Sequence, residues 1–229
     1  AAIKILQPTL VADAQIVADN MQQKLQCKNK ITVIRNGINS EYFTPGDQLA
    51  ARAHFNLPSD VQIIGCSGRM EKVKGQSVLI NALHTLPNTI HIAFAGSGST
   101  EQSLRALVGK LELTQRVHFL GHTDQMPTFY RTLDLFCLPS LNEGFPLSPL
   151  EAQACNIKTL VTNVGASKET LCPESGQYVD ANEPVVMASI LFSMLKKPIN
   201  SQPREFVKQY GDVHNMAKSY ANLRQSEIA

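Results

Sequence analysis

From residue 61 onward the chain alternates short apolar runs with stretches of helical period. The runs at 61–66, 90–95, 117–120, 133–138 and 159–162, with a last short one at Tyr178 and Val179, read as six strands. Between them, residues 77–86 set Val78, Leu79, Ala82, Leu83 and Leu86 on one helical face. A helix from about Glu101 does the same with Leu104, Leu107, Val108 and Leu111, and shorter helices fit 127–132 and 166–171. Connections of helical length force parallel neighbours and right-handed crossovers. The expected architecture is therefore α/β, a Rossmann-like, doubly wound parallel sheet of about six strands.

Ahead of the alternation, residues 1–34 hold an apolar run at 14–18, an Asp19 that reads as a helix cap, a helical stretch to Leu25 and a strand-like 31–34. That is too little for a domain of its own. Beyond the alternation, 184–197 and 205–224 read as amphipathic helices. The longest uncharged apolar segment near the C-terminus, 185–195, is about half the ~20 residues of a membrane span. With no secretory n-region and h-region at the start, the chain reads as soluble and cytosolic, with peripheral membrane contact left open.

Length and charge narrow the classes. A chain of 229 residues, 43% hydrophobic, buries a real core as one generous domain or one domain plus a fragment. Twenty-one Lys and Arg against nineteen Asp and Glu leave a net charge of +2, and no basic run exceeds Lys196-Lys197, so nucleic acid is not an expected partner. Five cysteines, Cys27, Cys66, Cys137, Cys155 and Cys172, are widely spaced in mostly apolar settings and read as buried free thiols, implying neither a disulfide framework nor a zinc site.

The densest punctuation follows the apolar run 133–138, itself read as a buried strand. In PSLNEGFPLSPLEAQA, residues 139–154, Gly144 and Pro146 interrupt regular structure. Ser148, Pro149 and Glu151 then give a hydroxyl cap, a proline at the first helical position and a carboxylate three residues after the cap. A strand, a loop and a helix start meet at the carboxyl end of a strand, where open α/β sheets hold ligands. Glu143 and Glu151 flank this corner with seven residues between them. Two readings stand for each: Glu151 completes a capping box with Ser148 or faces a ligand, and Glu143 is a solvated loop charge or a hydrogen-bond acceptor for a polyol.

Other loops at the same expected edge carry chemistry. Arg69 and Lys74 follow the first strand, and either converge on an anion or form a solvated loop in which Lys72 and Lys74 pair Glu71. Gly96-Ser97-Gly98 follows the second, but Glu101 stands where a dinucleotide fingerprint needs its third glycine. Residues 120–124 end the third, with Asp124 available to cap the next helix. No Asp or Glu pair stands two positions apart, and HExxH, Walker A and G-x-S-x-G patterns are absent from the sequence.

EGFPLSPLEA resembles the E-x7-E motif of retaining glycosyltransferases of the large family four, glycosyl transferases group 1. Other stretches stand in that family's order: Asn36-Gly37-Ile38, Tyr42-Phe43-Thr44-Pro45, Gly68-Arg69 with Lys74-Gly75, Ala95-Gly96-Ser97-Gly98, residues 117–121, and Asp134 before Leu138-Pro139-Ser140. The likeness runs over residues 14–225. It implies the C-terminal half of a GT-B fold, with residues 1–35 the tail of an N-terminal acceptor-binding domain and residues 36–229 the donor-binding domain. The final helix would cross back towards the absent partner, exposing Met216 and Tyr220.

Carried over by resemblance, Arg69 and Lys74 bind the diphosphate, with Gly68 and Gly96 in close main-chain approach. His122 and Thr123 border the base, and Glu151 accepts from the ribose. Glu143, the expected catalytic residue, contacts the donor sugar, and the loop Gly144, Phe145, Pro146 and Leu147 meets the sugar and distal phosphate. The implied substrate is a nucleoside-diphosphate sugar, with no cofactor and no metal, and the chain alone is expected to be an inactive fragment. A non-catalytic nucleotide- or sugar-binding module on the same fold is the alternative, while a nicotinamide-dependent oxidoreductase suffers from the broken glycine pattern. Asn156 replaces the family's usual glycine, and the loop 165–169 lacks its frequent Gly-Gly-x-Pro-Glu, departures that bear on the donor.

Overall fold

The computed structural model describes residues 9–26, 31–198 and 202–226. The chain opens on a two-stranded parallel sheet, β1 (Val11–Ala12) and β2 (Thr32–Val33), joined through α1 (Gln15–Leu25). A short helix α2 (Gln48–His54) then starts on Asp47, whose carboxylate accepts from the Ala50 N–H. Next come β3 (Gln62–Ser67), α3 (Gln76–His84), β4 (Ile90–Ala95), α4 (Glu101–Lys110) and β5 (Val117–Phe119). After α5 (Met126–Arg131) follow β6 (Leu135–Leu138), α6 (Ser148–Ala154), β7 (Lys158–Thr162) and β8 (Gly176–Val179). The helices α7 (Pro184–Lys196), α8 (Pro203–Tyr210) and α9 (Val213–Ser226) complete the order, with 3-10 turns at Lys72–Lys74 and Ser167–Thr170.

Six strands form one fully parallel sheet in the order β5-β4-β3-β6-β7-β8. The chain builds outward from β3 to β5, returns to lay β6 beside β3, and builds outward the other way. This reversal leaves a crevice beyond the carboxyl ends of β3 and β6. Neighbouring residues explain why the runs are continuous rather than alternating: Ile63 and Ile64 point to opposite faces and both are fully buried. One face packs Ile64, Ile92 and Leu135 against Leu79, Leu83 and Leu191; the other packs Ile63, Phe136 and Val161 against Phe129, Tyr130 and Leu150.

Three local expectations change. Asp19 is no cap: α1 begins at Gln15, and Asp19 accepts from its side-chain amide within the helix. The first-turn N–H groups of Gln15 and Ile16 instead donate to Glu169, a partner 154 and 153 residues away that local sequence cannot show. The stretch 205–224 is two helices, broken where Gly211 packs on Leu150 and where Asp212 takes the His214 N–H and the Ser40 hydroxyl. Helix α2 was not anticipated; it is anchored by buried Arg52, which donates to the carbonyls of Ser59, Val61 and Thr132 and to Asp134 at 2.7 Å. Cys66, Cys137, Cys155 and Cys172 are free and buried, whereas Cys27 lies outside the described residues. In α9, Tyr220 is exposed and Met216 half-buried. Among the described residues no helix is long and apolar enough to cross a membrane.

Candidate functional site

A cleft of about 400 Å³ occupies the crevice where strand order reverses. Its floor is main chain. The loop after β3 and the loop after β4 are laced together, with the Met70 N–H donating to the Ser97 carbonyl and the Gly68 N–H to the Ala95 carbonyl. Gly96 has φ +135, and a Cβ there would stand 2.1 Å from the Gly68 carbonyl oxygen, so only glycine lets these two loops meet.

Lys74 and Glu143 are brought together by a second close approach. Gly75, at φ +66, lies against Pro139, where a Cβ would be 2.0 Å from the carbonyl oxygen, and the Leu141 N–H donates to Val73. The 3-10 turn after β3 is thereby clamped to the segment leaving β6. The Lys74 Nζ donates to Glu143 Oε1 at 2.7 Å, and the Ser140 hydroxyl donates to the same oxygen at 2.6 Å. Glu143 is not a solvated loop charge, since its side chain is only 9% exposed against 25% for Lys74. Lys72 and Lys74 do not pair Glu71; Arg69 does, at 2.9 Å, with 76% of its own side chain exposed.

Glu151 does not form the expected capping box. Leu147 stands at the N-cap without a side-chain bond, Ser148 is already helical, and the carboxylate of Glu151 is drawn across to α5. There its Oε2 accepts from the Tyr130 hydroxyl at 2.6 Å. Burial pushes the Glu151 carboxyl above its ordinary range, and the bond from Tyr130 pulls it back. Asp124 is likewise no cap: α5 begins after Gln125, whose N–H donates to the Thr123 hydroxyl, while Asp124 stays in solvent 3.4 Å from His122.

The cleft thus gathers Gly68, Arg69, Lys74, Gly96, His122 and Thr123 with Glu143, Pro146, Leu147 and Glu151. Gly144 and Phe145 stand back from it. The Gly144 carbonyl accepts from the Ala166 N–H, and the Phe145 ring is buried in the core.

The model of the glycosyl transferases group 1 family matches residues 47–212. The chain belongs to that family. Among its group 1 relatives, the D-inositol 3-phosphate glycosyltransferase of Mycolicibacterium gilvum (strain PYR-GCK) is 36% identical over 170 residues, covering 71% of this chain and 38% of that protein. The protein of the same name from Corynebacterium urealyticum (strain ATCC 43042 / DSM 7109) is 30% identical over 217 residues, covering 88% and 50%. The chain therefore spans between about two fifths and one half of these curated relatives. Among solved structures, Anabaena Alr3699/HepE in complex with UDP superposes with a TM-score of 0.89 at 22% identity, over 95% of this chain and 64% of that one. The C-terminal domain of a glycosyl transferase group 1 family protein (LpcC) from Francisella tularensis superposes with a TM-score of 0.64 at 24% identity, over 80% and 98%. The fold is that of the C-terminal half of GT-B glycosyltransferases.

Two residues of this group 1 cleft escaped sequence reasoning. Ser67 ends β3 and lines the cleft, and Tyr130 sits beneath it with its hydroxyl between Ser67 and Glu151. Position at a strand's carboxyl end could have flagged Ser67; nothing local marks Tyr130. A second cavity of about 370 Å³ opens at the opposite end of the sheet. Three of its charged groups are engaged in holding the fold, with Arg131 on Thr44, Lys158 on the Met194 and Lys197 carbonyls, and Asp134 on Arg52. Among the described residues no group of three His, Cys, Asp or Glu side chains is placed to hold a metal ion.

Proposed function

We propose that the chain is the donor-binding half of a retaining, metal-independent glycosyltransferase that takes a nucleoside-diphosphate sugar. The observation that carries this reading is the convergence, in one cleft at the reversal of strand order, of two cations from the connection after β3 with two carboxylates from the loop after β6 and the helix it enters. Arg69 and Lys74 supply positive charge where scission of the bond between the anomeric carbon and the phosphate oxygen leaves negative charge on the diphosphate. That role needs no metal ion if the two side chains converge on the phosphates. Main chain at Gly68 and Gly96 lets a phosphate approach closely, and Glu151 accepts from the ribose hydroxyls.

Glu143, oriented by Lys74 and Ser140, is the group that contacts the donor sugar, and of the loop 144–147 only Pro146 and Leu147, which line the cleft, border that sugar and the distal phosphate. His122 and Thr123 border the base. Retention of anomeric configuration follows from the E-x7-E resemblance. The acceptor site belongs to a further N-terminal domain, consistent with relatives of roughly twice this length, and residues 1–35 are read as the tail of that domain. The pathway class is glycan, lipopolysaccharide or glycolipid synthesis, in the cytoplasm and at its membrane face.

Calorimetry with UDP-, GDP- and ADP-sugars against NAD tests the reading. Binding of a sugar nucleotide that survives EDTA is expected; NAD binding alone, or a strict requirement for magnesium or manganese, would overturn it. Product formation from a labelled donor tests the fragment reading, since this chain is expected to give none and the protein extended by the acceptor domain is expected to turn over.

A further inference from the structure

Tyr130 is fully buried on α5, its ring edge-on to Phe43 and Phe136 with centroids 5.9 and 5.6 Å away. A phenylalanine would satisfy that packing, so the hydroxyl needs its own account. A buried phenol must find partners, and both partners found here belong to the cleft. The hydroxyl donates to Glu151 Oε2 at 2.6 Å. Its single proton is thereby used, which makes Ser67 Oγ, 3.0 Å away, the donor to the Tyr130 oxygen. A relay runs from Ser67 on β3 through Tyr130 to Glu151 on α6, with both ends lining the cleft.

We propose that Tyr130 is a positioning residue of the nucleotide site: its hydroxyl fixes one oxygen of Glu151 and leaves the other to accept from the ribose hydroxyls. This rests on the donor-binding reading and deepens it. Burial raises the Glu151 carboxyl, the Tyr130 bond opposes that rise, and loss of the bond lets Glu151 take up a proton at higher pH. A protonated Glu151 is a poorer acceptor, so ribose recognition would fade as pH falls.

Among the other titratable groups around α6, the Cys155 thiol faces Glu151, and burial pushes that thiol up to about 12, so it stays neutral at pH 6 and 8. Arg131 on α5 and Arg204 on α8 act on Cys155, one turn beyond Glu151. Lys158 on β7 is held by carbonyls, and Glu205 and Lys208 on α8 pair with each other, while Tyr210 ends α8 exposed at the surface. Cys137 on β6 has its thiol pushed up by burial. Across the cleft Lys74 is held by Glu143, and Arg69 by Glu71, with His122 exposed at the rim.

The test titrates the intact chain with UDP, GDP and ADP, then compares the tightest binder with its 2′,3′-dideoxy counterpart at pH 6 and pH 8. Phosphate titration is common to both nucleotides and cancels in the affinity ratio. The wild-type ratio should favour the ribonucleotide by about tenfold or more. Tyr130→Phe should shrink that ratio about tenfold at pH 6 and less at pH 8. Ser67→Ala, which leaves the ring untouched, should shrink it by a smaller factor and decides the matter if the first variant does not fold. An unchanged ratio at both pH values, with only a lower melting temperature, would show Tyr130 to be packing alone. If Glu151→Ala also left the ratio intact, the ribose reading itself would fall; if Glu151→Ala collapsed it and Tyr130→Phe did not, only the positioning role would fall. A wild-type chain that bound none of the three nucleotides would overturn both.

Discussion

Replacing Lys74 by alanine strikes the cleft twice. The first effect is on stability: Glu143, 9% exposed, loses its cation and keeps the Ser140 hydroxyl. Stripping the partner from a fully buried ion pair costs about 3–5 kcal/mol. Lys74 keeps 25% exposure, so water fills in where the ammonium stood and about 1–2 kcal/mol is the appropriate scale. For a chain of this size that lowers the melting temperature by roughly 2–8 °C. The second effect is on binding. A charge-assisted bond to phosphate contributes about 1.5–3 kcal/mol, so any nucleoside diphosphate should bind roughly ten- to a hundredfold more weakly.

A double-mutant cycle separates the two effects. Lys74→Ala/Glu143→Ala should recover most of the lost stability, because no unpaired carboxylate remains, yet recover none of the lost affinity. Glu143→Gln should leave diphosphate affinity equal to wild type or raise it, since Lys74 is no longer shared with a carboxylate. Scanning calorimetry and nucleotide titration on wild type, Lys74→Ala, Glu143→Ala, the double variant and Glu143→Gln read both quantities. Additive melting shifts in the double variant, or a Lys74→Ala protein that binds diphosphate like wild type, would refute the coupling.

Arg69 is exposed and, among the described residues, paired with Glu71 alone, so Arg69→Ala should weaken nucleotide binding by roughly tenfold or more while moving the melting temperature little, as titration and thermal melts will show. Glu151→Gln should weaken binding of the bare nucleoside diphosphate; because burial raises the folded carboxyl above its unfolded value, ionised Glu151 opposes folding at neutral pH, and melts should show the variant at least as stable as wild type near pH 7 and no better at pH 4. Glu169 behaves oppositely: burial would raise it, but bonds from the Gln15 and Ile16 N–H groups and from Arg35 outweigh that and hold it below its ordinary value. Its stabilisation is therefore present above about pH 4.5 and lost as pH falls through the lower folded value, and Glu169→Gln should make α1 the first site cut in limited proteolysis at pH 7.

What the sequence disclosed depended on how far away the deciding contact lay. The six strands were legible because a sheet covered on both faces leaves unbroken apolar runs such as Ile63 to Cys66. The cleft was legible as a set of loop residues, because Arg69, Lys74, Glu143 and Glu151 all follow strand ends or open a helix. Their pairings were not. Glu151 looked like the partner of Ser148 three residues away and is instead the partner of Tyr130, 21 residues back on another helix. Lys74 looked like a partner for Glu71 and is bonded to Glu143, 69 residues on. The break between α8 and α9 depends on Leu150 and Ser40, and the start of α1 on Glu169, so local propensity pointed elsewhere at both places.

The glycine contact between the loops after β3 and β4 divides the cleft by how it tolerates change. Gly96 against Gly68, and Gly98 with a would-be Cβ 2.4 Å from the Met70 carbonyl oxygen, pack two backbone segments together with no room for a side chain on Gly96 or Gly98. A mutation there displaces the Arg69 loop as a whole instead of adjusting one contact. The rim is built differently: His122 is 80% exposed and Leu147 38%, and each can be exchanged without moving the chain beneath it. On the donor-binding reading proposed above, altered donor choice is therefore to be sought in substitutions at His122, Thr123 and Leu147 before any at Gly96 or Gly98.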